Sequence, residues 1–322
     1  MKTRLQYIQI IRIISCLGVF CVHFGIYMDF GGILRKITDF GRYGVYLFFI
    51  ISGFLALLST ENEAIVSLKN YYINRLIKIV PIYYLVITYF FIVDTVIGHN
   101  YNIPVDVYKV GWLRYFAFFN IFIPNATNYW DNIGSTWTIF VFLLFYILFP
   151  FMKRFAVNIK RTMILWGGLF LLSFINYFDF INDSFPIVYV HYCVLGMLIY
   201  QVRKNKYEMK FIWGAVVLII CREVAYPVMD IFVLTLLFCI LVISSKWLNI
   251  DCNLGKKIID KLDEYSYCIY LIHPIVMGWA GEVHDSLVKA ILIIGGTMIL
   301  SVSVHEFFEK PIQKRLTGIL RG

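Results

Sequence analysis

The chain has 322 residues, of which 60% are hydrophobic and 15% are charged, and its formal net charge is +9. Soluble domains average about 45–50% apolar and about 25% charged residues, so this composition excludes an ordinary soluble domain and indicates an integral membrane protein. The basic residues cluster between apolar runs, as they do in cytoplasmic loops, so the positive charge does not indicate a nucleic-acid partner.

Apolar runs long enough to cross a lipid bilayer recur along the whole chain. About 20 apolar residues cross the hydrocarbon core as a helix, and lipid tolerates only helices and closed barrels. No A-x-A-like cleavage site follows the first run, so we expect it to stay as a membrane helix. The sequence predicts an all-α integral membrane protein with ten transmembrane helices, near 7–28, 42–60, 76–98, 133–152, 162–180, 185–202, 211–226, 229–245, 265–281 and 287–307.

A shorter apolar segment at 111–124 carries Arg114 and ends at Pro124. With ten spans and a cytoplasmic N-terminus, most of the 29 Lys and Arg residues fall on the inner side, as the positive-inside rule requires. If this segment also crossed the membrane, every later basic cluster would move to the outside. It is therefore predicted to be re-entrant or to lie on the outer surface, and both termini are predicted to be cytoplasmic.

The seven cysteines lie mostly within apolar runs and do not indicate a bound metal. Neither a C-x-x-C pair nor another metal-ligand spacing is present, so no metal and no disulfide framework is expected. No internal repeat is visible either. The chain is interpreted as a single transmembrane domain, 1–322, with no appended soluble domain.

Two ionisable residues lie in the first span, in the stretch IIRIISCLGVFCVHFG. Arg12 and His23 are eleven residues apart, which at about 100° per residue places them on one helix face, roughly 16 Å apart along the axis. Taken alone, Arg12 fits a side chain that snorkels to the cytoplasmic interface, and His23 fits a neutral, hydrogen-bonded histidine. Together on one stripe they indicate a reaction path, because ionisable residues in spans are costly and histidine commonly transfers protons.

The arrangement suits an anionic substrate that enters from the cytoplasm and reacts deeper in the membrane, and acyl-coenzyme A (acyl-CoA) has this form. Arg12 would hold a phosphate or a polarised oxygen. Arg75 and Lys78, in the stretch NRLIKIVPIYY, share a face at the inner mouth of the third span and would bind phosphate groups. Alternatively, Arg75 and Lys78 are the basic residues that ordinarily flank a span on its cytoplasmic side. Pro81 is expected to break or kink this helix.

Five motifs, in order along the chain, resemble the acyltransferase 3 family of bacterial integral-membrane acyltransferases. Arg12 and His23 match the family's spacing of a basic residue and a histidine, and GVYLFFIISGFLA at 44–56 resembles its second span. RLIKIVP resembles its R-x-x-R signature before a proline, with Lys78 in place of the second arginine. SYCIYLIHP at 266–274 and the later FFEKPIQKRL resemble the family's closing motifs.

The resemblance implies a multi-pass O-acyltransferase of the cell (cytoplasmic) membrane. Its donor would be acetyl-CoA, and its acceptor a hydroxyl of an envelope polysaccharide, such as an exopolysaccharide or capsule, or of a glycolipid or lipid-linked sugar. His23 would be the general base or acyl carrier, Arg12 would bind the carrier or stabilise the oxyanion, and Arg75 and Lys78 would bind acyl-CoA. Phe142 occupies a position where the family often has a glutamate, so no role of that glutamate is carried over.

Four further residues are candidates for lining the site. Ser52, which precedes a glycine, either donates a hydrogen bond or permits close helix packing. Trp137 fits an interfacial aromatic residue or a sugar platform, and Tyr146 fits the core and the site equally. His273 either bonds carbonyl groups freed by the following proline or lines the acyl path.

A transporter that exports a glycan intermediate is the alternative function, with Arg12 and His23 serving as a proton relay. Transporters often contain repeated halves with matched broken helices, and the sequence shows no such repeat. The fate of the acyl-CoA thioester separates the two functions, because a transporter would leave it intact.

Overall fold

The structure, a computed structural model, describes residues 5–62, 68–95, 112–118, 136–173, 185–205 and 252–321. Over these residues the chain is helical and contains no strand, which confirms the predicted all-α class. A 3₁₀ turn, Phe40–Tyr43, precedes α3, and a π-helical turn, His305–Glu309, joins α10 to α11. The helices are α1 (Gln6–Tyr27), α2 (Gly32–Asp39), α3 (Gly44–Ser59), α4 (Leu68–Thr95), α5 (Trp112–Phe116), α6 (Trp137–Phe155), α7 (Ile159–Leu172), α8 (Ile187–Lys204), α9 (Asn253–Ala280), α10 (Ser286–Val304) and α11 (Lys310–Arg321).

Five helical segments in the described part of the chain are long and apolar enough to cross a membrane. They are Gln6–Tyr27, Gly32–Ser59, Leu68–Val93, Trp137–Phe155 and Ser286–Leu320. The predicted span at 185–202 overlaps α8, the one at 265–281 overlaps α9, and α7 overlaps the described beginning of the span at 162–180. The predicted spans at 211–226 and 229–245 lie outside the described residues.

The described residues divide into two compact units. The first contains α1, α2 and α3, most of α7 and α8, the end of α6 and the first half of α9. Its α3 and α8 approach backbone to backbone at two glycines. A Cβ atom at Gly53 would lie 1.7 Å from the carbonyl oxygen of Cys193, and one at Gly196 would lie 1.9 Å from that of Ile50. Glycine is therefore required at both positions for this packing. The described residues of this unit are 5–62, 151–170, 191–205 and 252–266.

The second unit is built around α4, α6 and the second half of α9, with α10 and α11 beside them. The Tyr72 hydroxyl donates to the carbonyl of Ile147, and the Tyr83 ring lies 6.1 Å from that of Phe140, so α4 and α6 are antiparallel. Helix α4 continues through Pro81, so this proline does not break the helix, and a kink there stays a prediction. The described residues of this unit are 68–95, 112–118, 136–150, 171–173, 185–190 and 267–321.

The segment at 111–124, predicted to be re-entrant or to lie on the outer surface, is described at residues 112–118, where α5 has five residues. Its backbone is held by α4, because the Tyr83 hydroxyl donates to the carbonyl of Tyr115 at 2.8 Å and that of Tyr84 donates to Phe116 at 2.7 Å. A helix of this length rises only about 8 Å, a quarter of the hydrocarbon thickness. It therefore cannot cross a membrane on its own.

Candidate active site

Arg12 and His23 both lie on α1, which is unbroken from Gln6 to Tyr27. The helix confirms the predicted spacing, since eleven residues of regular α-helix place both side chains within roughly 20° of one another. Both are half-buried. Cys16 and Val19, which lie between them on the same stripe, are buried with 3% of their surface exposed. The stripe therefore faces protein along its central part.

Arg12 is fixed by a carboxylate from α9. Its Nη1 donates to Oδ1 of Asp263 at 2.8 Å, and the exposed fractions of the two side chains are 20% and 9%. An arginine inside a span needs such a partner, because an unpaired charge in a low-dielectric region costs several kcal/mol. Arg12 is thus positioned by an ion pair within the protein, in place of simple snorkelling towards the membrane surface.

The ion pair lies between further contacts of α1 with α9, and the Gln9 amide also donates to Oδ2 of Asp263 at 3.4 Å. One turn before it, the Gln9 amide donates to Asp260 at 2.8 Å, and one turn after it, the Cys16 thiol donates to the carbonyl of Ser266 at 3.2 Å. The contacts advance in the same order on both helices, so α1 and α9 run in the same direction. This register holds Arg12 at a defined depth and leaves His23 further along α1.

Arg75 lies in the second unit, against two tyrosine rings. Its guanidinium carbon is 4.8 Å from the centre of the Tyr146 ring and 5.5 Å from that of Tyr71, which is the range of cation–π contacts. Arg75 is half-buried, whereas Lys78 is exposed. The structure therefore assigns Tyr146, left open between core and site, to the surroundings of Arg75.

Phe142 lies one turn from Tyr146 on α6, at the position where the family pattern has a glutamate. Its ring stacks on that of Tyr146, with 6.4 Å between centroids and 19° between planes. The aromatic side chain therefore extends the tyrosine surface near Arg75, where a glutamate would add a negative charge.

The other predicted lining residues occupy three different environments. Ser52 is half-buried and precedes Gly53, where the backbones of α3 and α8 are in contact. Trp137 is half-buried, with its ring 5.2 Å from that of Tyr189. His273 is fully buried and its Nδ1 lies 3.1 Å from the carbonyl oxygen of Ile269, so it bonds backbone in the turn before the proline.

Three groups of polar residues were not predicted from the sequence. The first is Asp263 with Asp260. The second is Arg203, whose guanidinium lies 5.0 Å from the centre of the Tyr7 ring. The third is the buried cluster of Cys268, His305 and Glu309. A signal existed only for the first. A charged residue within a span predicts a partner, and the stretch KKIIDKLDEYSY offers two carboxylates three residues apart, on one helix face.

Comparison with known proteins agrees with the sequence motifs. Residues 5–306 match the family model Acyl_transf_3, which describes an acyltransferase domain. Nodulation protein 10 of Rhizobium leguminosarum bv. viciae is 24% identical over 330 residues, covering 87% of this chain and 84% of that protein. No solved structure matches the chain.

Proposed function

The chain belongs to the acyltransferase 3 family and is a membrane acyltransferase, and from this premise we propose its donor, its acceptor and the roles of its residues. The donor is cytoplasmic acyl-CoA, with acetyl as the acyl group. The acceptor is a hydroxyl group of an envelope polysaccharide or glycolipid. The protein acts in the cytoplasmic membrane.

The observation that carries the proposal is the α1 stripe, where an arginine fixed by Asp263 lies eleven residues before a half-buried histidine. In the proposed step the acceptor oxygen attacks the thioester carbonyl carbon, and His23 takes the hydroxyl proton. Arg12 donates hydrogen bonds to the oxyanion that develops on the carbonyl. The carbon–sulfur bond then breaks, and the proton on His23 passes to the departing thiolate, giving an ester and free coenzyme A.

His23 can also be acylated itself before the acceptor attacks, in which case the reaction proceeds in two steps. In that scheme the imidazole gives its ring proton to the departing thiolate as it is acylated, and it takes the proton of the acceptor hydroxyl as the acyl group leaves it. Arg75 and Lys78, in the second unit, are proposed to bind phosphate groups of the donor. The rings of Tyr71 and Tyr146 would hold the planar guanidinium of Arg75 in place for that contact.

The helix directions support ten spans with both termini in the cytoplasm. If 111–124 crossed the membrane alone, α4 and α6 would enter from the same side, but they are antiparallel. The ten-span topology also requires α4 and α9 to enter from the same side. Within the second unit Tyr267 contacts the carbonyl of Ile79 and Trp279 contacts Tyr89, so these helices advance together. The ten-span topology likewise requires α1 and α9, which contain the first and ninth predicted spans, to enter from the same side, and these two helices are parallel.

The test is transfer of a radiolabelled acetyl group from acetyl-CoA to envelope glycan, using full-length protein in inverted membrane vesicles. Free coenzyme A is followed in parallel as released thiol. His23→Ala should abolish both signals, whereas His284→Ala, which alters an exposed histidine between α9 and α10, should retain them. Normal turnover in His23→Ala would overturn the mechanism. A protein that binds glycan but leaves the thioester intact would be a transporter.

A further inference from the structure

A buried cluster of three metal-ligating side chains lies in the second unit, apart from the residues assigned to acyl transfer. Cys268 comes from α9, and His305 and Glu309 come from the π turn after α10. One ligand atom from each lies within 4.8 Å of the other two. The exposed fractions of the three residues are 0%, 9% and 3%.

Two of the three side chains come from the π turn that follows α10. His305 and Glu309 are four residues apart, a spacing that places side chains on one helix face. His305 Nδ1 lies 2.7 Å from Oε2 of Glu309. The thiol of Cys268 donates to that same oxygen at 3.0 Å. Such turns recur at functional sites and interrupt an otherwise regular helix at some energetic cost.

The carboxylate of Glu309 contacts Cys268, His305 and the Gln313 amide, and among the described residues neither a lysine nor an arginine pairs with it. Its one possible cationic partner there is a protonated His305. A buried carboxylate is costly unless it is paired or binds a metal. A divalent cation bound by one thiolate, one carboxylate and one neutral imidazole would give a site of zero net charge.

We infer that Cys268, His305 and Glu309 bind a zinc ion. Zinc prefers this mixture of sulfur, nitrogen and oxygen ligands, and three protein ligands leave its fourth tetrahedral position to a water molecule. On binding, the Cys268 thiol releases its proton to solvent, and the His305 ring carries its remaining proton on Nε2 so that Nδ1 binds the metal. The site joins α9 to the end of α10 and fixes the closing segment of the chain.

Two further residues fit a metal site. The Gln313 amide donates to Oε1 of Glu309 at 2.8 Å, which is the outer hydrogen bond that orients a ligating carboxylate. Ser301, one turn before His305 on α10, is fully buried, and its hydroxyl has no hydrogen-bond partner among the described residues. A metal-bound water would give this hydroxyl a partner. The sequence did not reveal the cluster, because Cys268 is far from the other two ligands along the chain.

The test measures zinc in the full-length protein, purified through a histidine-free tag and exchanged into metal-free buffer. We expect about one zinc per chain, and roughly a tenth or less in Cys268→Ser and in His305→Asn. Cys193→Ser, which changes a buried cysteine outside the cluster, should keep the wild-type zinc content. Cobalt added to metal-stripped protein should give a thiolate-to-cobalt charge-transfer band that Cys268→Ser lacks.

Cys268→His serves as a second variant, because it keeps a ligand at this position and should retain zinc while losing the cobalt–thiolate band. Monodisperse wild-type protein with less than about 0.1 zinc per chain and no cobalt band would overturn the inference. Unchanged zinc in both Cys268→Ser and His305→Asn would overturn it as well, since the metal would then be bound elsewhere. Neither readout depends on acyl transfer, so the result stands apart from the proposed function.

Discussion

Replacing Asp263 with asparagine removes the negative partner of Arg12 while keeping the size of the side chain. At 2.8 Å and an effective dielectric constant of about 20, the Coulomb attraction between the two charges is about 6 kcal/mol. Desolvation of both groups offsets most of this. Breaking a fully buried pair costs about 3–5 kcal/mol, but Arg12 keeps 20% of its side chain exposed and can turn towards water. We therefore expect Asp263→Asn to lower the free energy of unfolding by about 2 kcal/mol.

The assay is a double-mutant cycle of Arg12→Gln and Asp263→Asn, with unfolding followed in detergent and acyl-CoA turnover measured on the folded fraction. The coupling free energy should be about 1–2 kcal/mol, because the double variant buries neither charge. Turnover should fall roughly tenfold in Asp263→Asn through a lower kcat, since Arg12 loses its fixed orientation. Asp263→Glu should recover part of that loss.

Asp260 provides the matched control. It lies one turn earlier on α9 and accepts a hydrogen bond from the Gln9 amide. Asp260→Asn leaves the Arg12–Asp263 ion pair in place, so it should leave kcat unchanged. Additive effects of Arg12→Gln and Asp263→Asn, or equal losses of kcat at Asp260 and Asp263, would refute the assignment of a specific positioning pair.

Three further outcomes follow from the contacts of single residues. Tyr146→Leu removes a ring beneath Arg75 and should raise the KM for acyl-CoA roughly two- to fivefold, whereas Tyr146→Phe should keep the wild-type KM. Equal KM values for the two variants would contradict a cation–π role of Tyr146. Gly53→Ala places a Cβ atom against the α8 backbone and should lower the free energy of unfolding by at least about 2 kcal/mol. Gly168→Ala, where the space around the added Cβ is open, should not lower it, and thermal unfolding of the two variants measures the difference. Backbone N–H groups at the start of α9 donate to the exposed Cys252 thiol and lower its pKa. The thiolate therefore forms at a lower pH than that of an ordinary cysteine, and its alkylation accelerates at that lower pH. A charged maleimide should label Cys252 in inverted vesicles, and labelling confined to right-side-out vesicles would contradict the predicted topology.

Each predicted span that contains described residues overlaps a helix, because a span must satisfy all of its backbone groups internally. The helix ends were less predictable. Helix α9 begins at Asn253, twelve residues before the predicted span at 265–281, because the stretch that precedes the span is polar but amphipathic and packs on α1. Helix α4 likewise begins at Leu68, before its predicted span. Hydropathy marks the part of a helix that contacts lipid, whereas helix length is set by packing as well.

The residues of the α1 stripe could be identified from sequence, but their partners could not. The spacing of Arg12 and His23 depends only on helix geometry, which is local. Asp263 is 251 residues from Arg12, and the pairing depends on which of the helices lies beside α1. The same limit hid the cluster of Cys268, His305 and Glu309, because Cys268 comes from a different helix and is 41 residues from Glu309 along the chain.

The pairing also separates two roles that the sequence left open for Arg12. The positive charge of Arg12 and the negative charge of Asp263 sum to zero. At longer range the pair therefore contributes little to attracting the phosphates of a donor. Its remaining N–H groups still donate hydrogen bonds in fixed directions at short range. A fixed donor is what an oxyanion requires, because it stabilises charge as it develops without reorganising. We therefore expect Arg12→Lys to reduce kcat while leaving the KM for acyl-CoA nearly unchanged, whereas an increased KM would assign Arg12 to phosphate binding.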